Sequence, residues 1–416
     1  MGFTIIEKIF RNHLVRPDDN VSPGSIVWIK LDVRSARDFG GANVVKNFKK
    51  YYGGDRVADR AKTYFTFDCQ VPANTIPYAN NQQACRIFAR EQEMRVFDVN
   101  AGIGSHVLID EGIALPGTTT VGTDSHLNIM GAMNAFGQGM GDIDIAYAMR
   151  HGVTWFEVPP SVRINVKGEL KYPATAKDLT LFVLKKFGSA GLLGTSVEFY
   201  GEAIEKMELH ERITLSSMAT EMGAIIALIP ADDKIVKFAR EHSGRSDFEA
   251  LKADPDAKYS SEHTLDITGL VPQVAAPPSP ENVADASSLS EVAVDSVFIG
   301  SCTNGRFEDI ETVAKIVDGK KIRPNIMATI VPSTAGVFRK MLETGIMKTL
   351  FDAGFIISNP GCGGCASGQI GMTGQKEVQV STSNRNFEGK QGAGRTYIAS
   401  PVVAAYSALN GRISFN

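Results

Sequence analysis

Three sets of residues are best suited to chemistry, the first drawn from two stretches. "NPGCGGC", residues 359 to 365, sets Cys362 and Cys365 two residues apart among glycines, and "GSCTNGR", residues 300 to 306, adds the thiol of Cys302. Cysteine thiolates hold iron-sulfur clusters, four being the usual complement of a cubane. Three would leave one iron with an open position, where a substrate oxygen can bind and be polarised. Two blander readings stay open on the same residues: half of a zinc ribbon, or a redox dithiol. Neither is complete, because no second C-x-x-C or closely spaced histidine pair follows, and a dithiol leaves Cys302 without a role.

The second set, "GTDSH" at residues 122 to 126, brings the carboxylate of Asp124, the hydroxyl of Ser125 and the imidazole of His126 into one turn, fit for acid-base work or orientation. The same residues also suit an Asx-type turn with His126 capping a helix. The nearby "GQGMGD" lacks the glycine spacing of a dinucleotide loop. In "STSNRNFEGKQG", residues 381 to 392, Arg385 can grip a carboxylate with a bidentate fork and Lys390 with a point charge, unless the segment is simply a solvated loop.

These residues must be held by ordered elements. "VDSVFIGSCTNG" reads as a buried strand entering a polar turn, "RFEDIETVAKIVDGKKI" has helical spacing, and "IMATIVPST" is a further strand. Strand and helix alternate, so a parallel sheet covered on both faces is expected, with ligand loops at its strand ends. "GFIISNPGCGGC" repeats the strand-to-loop pattern, which puts Cys302 and Cys362, 60 residues apart, within reach as neighbouring strand ends of one sheet. Residues 270 to 296, with four prolines among Ala and Ser, read as a linker. Pro159 and Pro160 mark a weaker break after a helical stretch. The chain therefore divides into domains at about 1–157, 158–280 and 281–416, and no internal repeat is visible.

Composition narrows the function classes. Among 416 residues, 43% are hydrophobic and 21% charged, ordinary values for a globular protein long enough for two or three domains. A net charge of −3 without a basic run argues against a general nucleic-acid surface. The longest apolar runs, such as "GAIIALIP", fall short of a membrane span, and the amino terminus lacks the features of a secretory signal or a myristoylation site. Five cysteines, an odd number, point to the reducing cytoplasm rather than to a disulfide framework.

Taken together and in this order, "GTDSH", "GSCTNGR", "NPGCGGC" and "SNRNFEG" strongly resemble the aconitase superfamily. The likeness is strongest to the separate large subunits of 3-isopropylmalate dehydratase and homoaconitase. "GIGSHVLIDEGIALPG", "SVEFYGEAI" and "RITLSSMATEMGA" extend it over nearly the whole chain. The resemblance implies an α/β fold of three α/β/α domains around a central 4Fe-4S cluster, held by Cys302, Cys362 and Cys365 with one iron not ligated by protein. It further implies a hydro-lyase that moves water across a carbon-carbon bond of a small 2-hydroxy di- or tricarboxylic acid, of the 3-isopropylmalate or homocitrate/homoaconitate type, in amino-acid biosynthesis such as that of leucine. Asp68, His106, Asp124 and His126 would orient or protonate groups near the cluster, and Glu221 would manage iron-bound water. Ser125, Arg385 and Lys390 would bind substrate. In this family the proton-abstracting serine sits on a swivelling fourth domain. The chain ends before such a domain, so a separate small subunit is expected to carry it, and the chain alone is expected to be inactive.

Three positions depart from the family pattern. Cys69 follows Asp68 where histidine is usual, replacing an imidazole with a group of higher intrinsic pKa. Ser217 stands where asparagine is usual, with a hydroxyl still able to bond water. Lys390 replaces arginine and loses the bidentate clamp. These changes admit two alternatives: a divergent hydratase or dehydratase acting on a substituted malate or maleate, and a non-catalytic cluster-binding sensor. Superfamily members can bind RNA once the cluster is lost, but the charge of this chain gives that second alternative little support.

Overall fold

The computed structural model describes residues 2–366 and 369–416. Seven strands lie within described residues 2–157: β1 (Ile26–Lys30), β2 (Val33–Arg37), β3 (Thr63–Thr66), β4 (Arg95–Phe97), β5 (Thr119–Gly122), β6 (Phe136–Gly139) and β7 (Val153–Glu157). β1 and β7 form a separate antiparallel ribbon, and the other five make a parallel sheet in the order β4-β3-β2-β5-β6. Strands β2, β3 and β5 bury nearly every residue, as expected of a parallel sheet covered on both faces. Helices Gly41–Tyr52, Ile76–Gln92 and Asp142–His151 pack together on one side.

A second parallel sheet, in the order β10-β9-β8-β11, is built from β8 (Ser161–Lys167), β9 (Ser196–Tyr200), β10 (Ile226–Leu228) and β11 (Ser261–Asp266). The alternating "VRINVK" becomes β8, preceded by strand β7 rather than by a helix. Its covering helix, Ala176–Phe187, begins at a capping box in which Thr175 and Asp178 satisfy each other's backbone N–H groups.

The third sheet has seven strands: β12 (Gln273–Ala275), β13 (Val283–Asp285), β14 (Ser296–Ile299), β15 (Met327–Ile330), β16 (Ile356–Ile357), β17 (Val378–Ser381) and β18 (Arg395–Ala399). Its order is β13-β12-β18-β17-β14-β15-β16, parallel from β18 to β16. The expected strand, helix and strand around Cys302 are β14, the helix Phe307–Val317 and β15. Ser400 caps the last helix by accepting from the Val403 N–H, Pro401 occupies its first turn, and Gly411 at φ 67° ends it.

Two expectations need correction. The proline-rich segment is not a free linker, because β12 and β13 lie within it and pair antiparallel at the sheet edge. Successive residues of β12 serve different cores: Val274 packs with the third sheet, while Ala275, like Val283 of β13, packs with the second. Three of the prolines occupy the turn between these strands, and Pro272 precedes the first, positions an edge strand tolerates. Nor are the strands leading to Cys302 and Cys362 neighbours, since β15 lies between β14 and β16.

The first and third sheets share a strand order that the sequence does not reveal. Numbered from its first strand, each parallel five-strand unit runs 3-2-1-4-5, with β2 or β14 as the strand at which the order reverses. Ligand sites in open α/β sheets form at the carboxyl ends of such strands. Arg37 ends β2, and Cys302 follows β14 directly.

Candidate active site

Arg37 lies between the two sheets. Its Nε donates to Asp68 Oδ1 at 2.7 Å, its Nη1 to Asp124 Oδ1 at 3.0 Å and its Nη2 to Cys362 Sγ at 2.7 Å. Asp68 follows β3 and Asp124 follows β5, the strands flanking β2. Burial pushes the Asp68 carboxyl up to about 6, helped by Asp38 and Asp124 and opposed by Arg37. Asp124 goes the other way. Burial would raise it, but Arg37 and His126 outweigh that and hold it below the usual carboxylate range.

The thiols reach the same place from the third sheet. Cys302 sits in a short turn of helix behind Ser301, whose φ of 73° is unusual for a residue with a side chain. That conformation is tied down by the Ser301 hydroxyl, 2.9 Å from Thr303 Oγ1, and by Thr382, whose Oγ1 accepts from the Gly300 N–H at 2.9 Å. Cys302 Sγ lies 3.4 Å from Asn384 Oδ1. The C-G-G-C loop docks on the first sheet through the Cys362 N–H, which donates to the Asp68 carbonyl at 2.9 Å. Its glycines are required by packing: Gly363 has φ 58° and a Cβ there would lie 2.6 Å from the Phe298 ring, while one on Gly364 would lie 2.6 Å from the Gly371 carbonyl. All five cysteines are free thiols. Burial, with Asp124 and Glu221 nearby, pushes Cys302 up to about 12. A hydrogen bond with Cys69 lowers Cys362, but burial still leaves it at about 11.

His126 occupies the N-cap position of the turn Leu127–Met133, as the blander reading has it, yet its ring is used elsewhere. The Nε2 of His126 lies 2.9 Å from Glu221 Oε1, and Arg385 Nε donates to that same oxygen at 2.7 Å. Glu221 is supplied by the second sheet, Arg385 by the loop after β17. The histidine and the arginine hold Glu221 low against the burial that would raise it. His106 Nε2 donates to the Cys302 carbonyl at 2.9 Å, while its buried Nδ1 has no protein partner among the described residues. Burial and the nearby Arg306 lower His106 to about 4, so the ring is neutral and Nδ1 is an acceptor.

A cavity of about 440 Å³ opens over these groups. Cys302, Cys362, Cys365, Asp124, Ser125, His126, Arg385 and Lys390 line it, together with Arg37, Cys69 and the apolar Phe39 and Ile103. Asp68, His106 and Glu221 do not line the cavity, and each is bonded to a residue that does or to the Cys302 backbone. Ser217 differs from expectation: it is fully buried and its hydroxyl donates to the Thr214 carbonyl in its own helix at 3.1 Å, so it does not face the cavity. Two residues escaped sequence reasoning. Arg37 could have been found from its place at the end of a strand where sheet order reverses. Lys177, whose Nζ donates to the carbonyls of Thr382 at 3.0 Å and Ser383 at 2.8 Å beneath the thiol loop, gave no local signal.

Fold and cavity define an α/β protein whose parallel sheets converge by their strand ends on buried thiols, carboxylates and arginines. The chain belongs to the aconitase family of hydro-lyases: the model of that family, described as aconitate hydratase, matches residues 7–411. It is 37% identical to 3-isopropylmalate dehydratase large subunit 1 of Methanopyrus kandleri, covering 100% of this chain and 99% of that protein. A probable methanogen homoaconitase large subunit of Methanothermobacter thermautotrophicus is 37% identical, with 95% and 93% covered. Among solved structures, aconitase X of Thermococcus kodakaraensis shares the fold with a TM-score of 0.50 at 14% identity, covering 86% of this chain and 84% of that one. No helix among the described residues is long and apolar enough to cross a membrane.

Proposed function

We propose that this chain is the large subunit of an iron-sulfur hydro-lyase that dehydrates and rehydrates a small 2-hydroxy di- or tricarboxylic acid, of the 3-isopropylmalate or homocitrate/homoaconitate type, in amino-acid biosynthesis. The observation that carries this reading is the convergence of Cys302, Cys362 and Cys365 on one cavity with Arg385, Lys390 and the His126–Glu221 pair. The donor set fits a 4Fe-4S cluster. Its thiols are soft, free and drawn from two loops, and burial keeps Cys302 and Cys362 protonated until metal displaces the protons. When bound, the cluster supplies a Lewis-acidic iron for substrate oxygens.

The remaining roles belong to the chain itself. Arg385 and Lys390 receive carboxylates, the first as a fork that Glu221 holds by its Nε side. Glu221 also orients His126 through a hydrogen bond at Nε2, which fixes the imidazole on the cavity wall for acid-base work. His106 offers Nδ1 as an acceptor, and Asp68, at about 6, holds or releases a proton near neutral pH. Ser125 is exposed on the cavity wall, suitably placed for a substrate oxygen. A separate small subunit would bear the proton-abstracting serine. The relatives are named as large subunits, and Phe39, 75% exposed at the cavity, suits contact with such a partner.

Cys69 and Lys390 on the cavity wall favour a second reading in which the acid is a substituted malate or maleate, since one stands for an imidazole and the other for a bidentate guanidinium among the groups that meet it. The test is anaerobic co-purification with the candidate small subunit, cluster reconstitution and a panel of hydroxy acids followed by the absorbance of the unsaturated product. Turnover of one acid class decides between the readings. Protein that stays colourless after reconstitution, or that carries zinc with every position filled by side chains, overturns both.

A further inference from the structure

Cys69 has neighbours that a mere replacement for histidine would not need. It is 4% exposed, its Sγ donates to Asp68 Oδ1 at 3.3 Å, and it lines the cavity beside Cys362. The sulfurs of Cys69 and Cys362 and an oxygen of Asp68 all lie within 4.8 Å of one another, and all three residues are buried. That spacing suits one ion. With bonds of about 2.3 Å to sulfur and 2.0–2.2 Å to oxygen, a tetrahedral zinc sets its ligand atoms about 3.5–3.8 Å apart.

The surroundings are already those of a metal site. Asp38 Oδ1 accepts the N–H groups of Asp68 at 3.1 Å and Cys69 at 3.0 Å, which fixes the backbone carrying two of the donors. Asp68 Oδ2 accepts the Gly104 N–H at 2.8 Å, while Oδ1, which also accepts from Arg37 Nε at 2.7 Å, is the oxygen turned towards Cys69. Such outer partners orient metal ligands. Two thiolates and a carboxylate would meet a divalent ion and the guanidinium of Arg37, which touches Asp68 and Cys362 as well as Asp124.

We propose that, in the chain without its cluster, Asp68, Cys69 and Cys362 bind a single soft divalent ion of the zinc or cobalt(II) class. Binding breaks two S–H bonds, forms two metal–sulfur bonds and one metal–oxygen bond, and releases two protons to solvent, with no change of oxidation state. Cys362 is shared with the cluster ligands, a point that rests on the functional reading above, so the single ion and the cluster exclude one another.

The experiment uses the full-length chain prepared cluster-free under anaerobic conditions and titrated with Co²⁺, reading the sulfur-to-cobalt charge-transfer absorbance and the protons released. Wild type is expected to bind one ion with the intensity of two thiolates and to release two protons. Cys302→Ser should match it, whereas Cys69→Ser should bind more than about a hundredfold more weakly, beyond the roughly 10–100-fold loss expected for an outer partner alone. Zinc added first should block cluster reconstitution of the wild type until a chelator removes it, and should block Cys69→Ser far less. Unchanged cobalt binding by Cys69→Ser, or its loss in Cys302→Ser, overturns the proposal by placing the ion among the cluster cysteines. Should Cys69→Ser misfold, Cys365→Ser decides: it should bind cobalt as the wild type does, and its loss of binding overturns the proposal. A chain that binds cobalt as expected yet never accepts a cluster would refute the functional reading and leave this site standing.

Discussion

Arg37 Nη2 lies 2.7 Å from the sulfur of Cys362, although the two residues stand 325 positions apart. One guanidinium thus ties the end of the central strand of the first sheet to the thiol loop of the third, and its other two bonded nitrogens engage Asp68 and Asp124. Removing it would leave two carboxylates buried without their counter-charge. Breaking such a pair typically costs about 3–5 kcal/mol. Arg37→Gln is therefore expected to lower the unfolding free energy by an amount of that order, read as a lower urea midpoint, and to shed the cluster faster in air. Arg37→Lys, which keeps the charge but cannot fork three ways, should fall between. Equilibrium unfolding and the decay of visible absorbance measure both effects, and a wild-type midpoint in Arg37→Gln would refute the role.

Glu221 offers one oxygen to both His126 and Arg385 and is 1% exposed at its side chain. Glu221→Gln keeps the shape while removing the charge that sets both partners. In the reconstituted complex, kcat should fall about 10²–10⁴-fold, the usual worth of a positioned acid-base group. Cluster absorbance should stay near wild type. A loss of cluster equal to the loss of rate would assign Glu221 to cluster binding instead.

The glycines of C-G-G-C make a sharper steric test. At Gly363 the backbone has φ 58° and a Cβ would sit 2.6 Å from the Phe298 ring. Gly363→Ala is expected to cost about 1–3 kcal/mol by overpacking and to displace Cys362 from Cys365, lowering cluster occupancy on reconstitution. Iron and sulfide analysis beside the thermal midpoint would show it. Full occupancy in the variant would mean that the loop adapts.

Asp178 gives a pH dependence away from the thiols. Burial raises its carboxyl to about 6, against the lowering effect of hydrogen bonds from Gln273 and Thr175. Because the folded value exceeds the unfolded one, its contribution to stability is fully present below about pH 4 and is lost as pH rises through 6. Asp178→Asn does not titrate. The stability of wild type relative to this variant should therefore fall by about 1–3 kcal/mol between pH 4.5 and 7.5. A constant difference across that range would show that Asp178 stays ionised in the fold.

The sequence by itself determined the family, the strand-loop-helix setting of Cys302 and the grouping of Asp124, Ser125 and His126 in one turn. Those features are local: a few consecutive residues specify them, and the alternation of apolar strands with helical spacing is readable without knowing what packs on what. Only the tertiary structure decided that Arg37 meets Cys362, that His126 and Arg385 share Glu221, that Ser217 turns away from the cavity, and that Cys69 stands beside Cys362. It also decided that a proline-rich stretch forms an edge rather than a linker, because its successive residues found two cores to enter. Apart from the turn of Ser217, which is made within its own helix, each of these joins residues on different sheets or different layers. Their distances depend on strand order and on how sheets face one another, quantities set by long-range packing and written in no short run of residues.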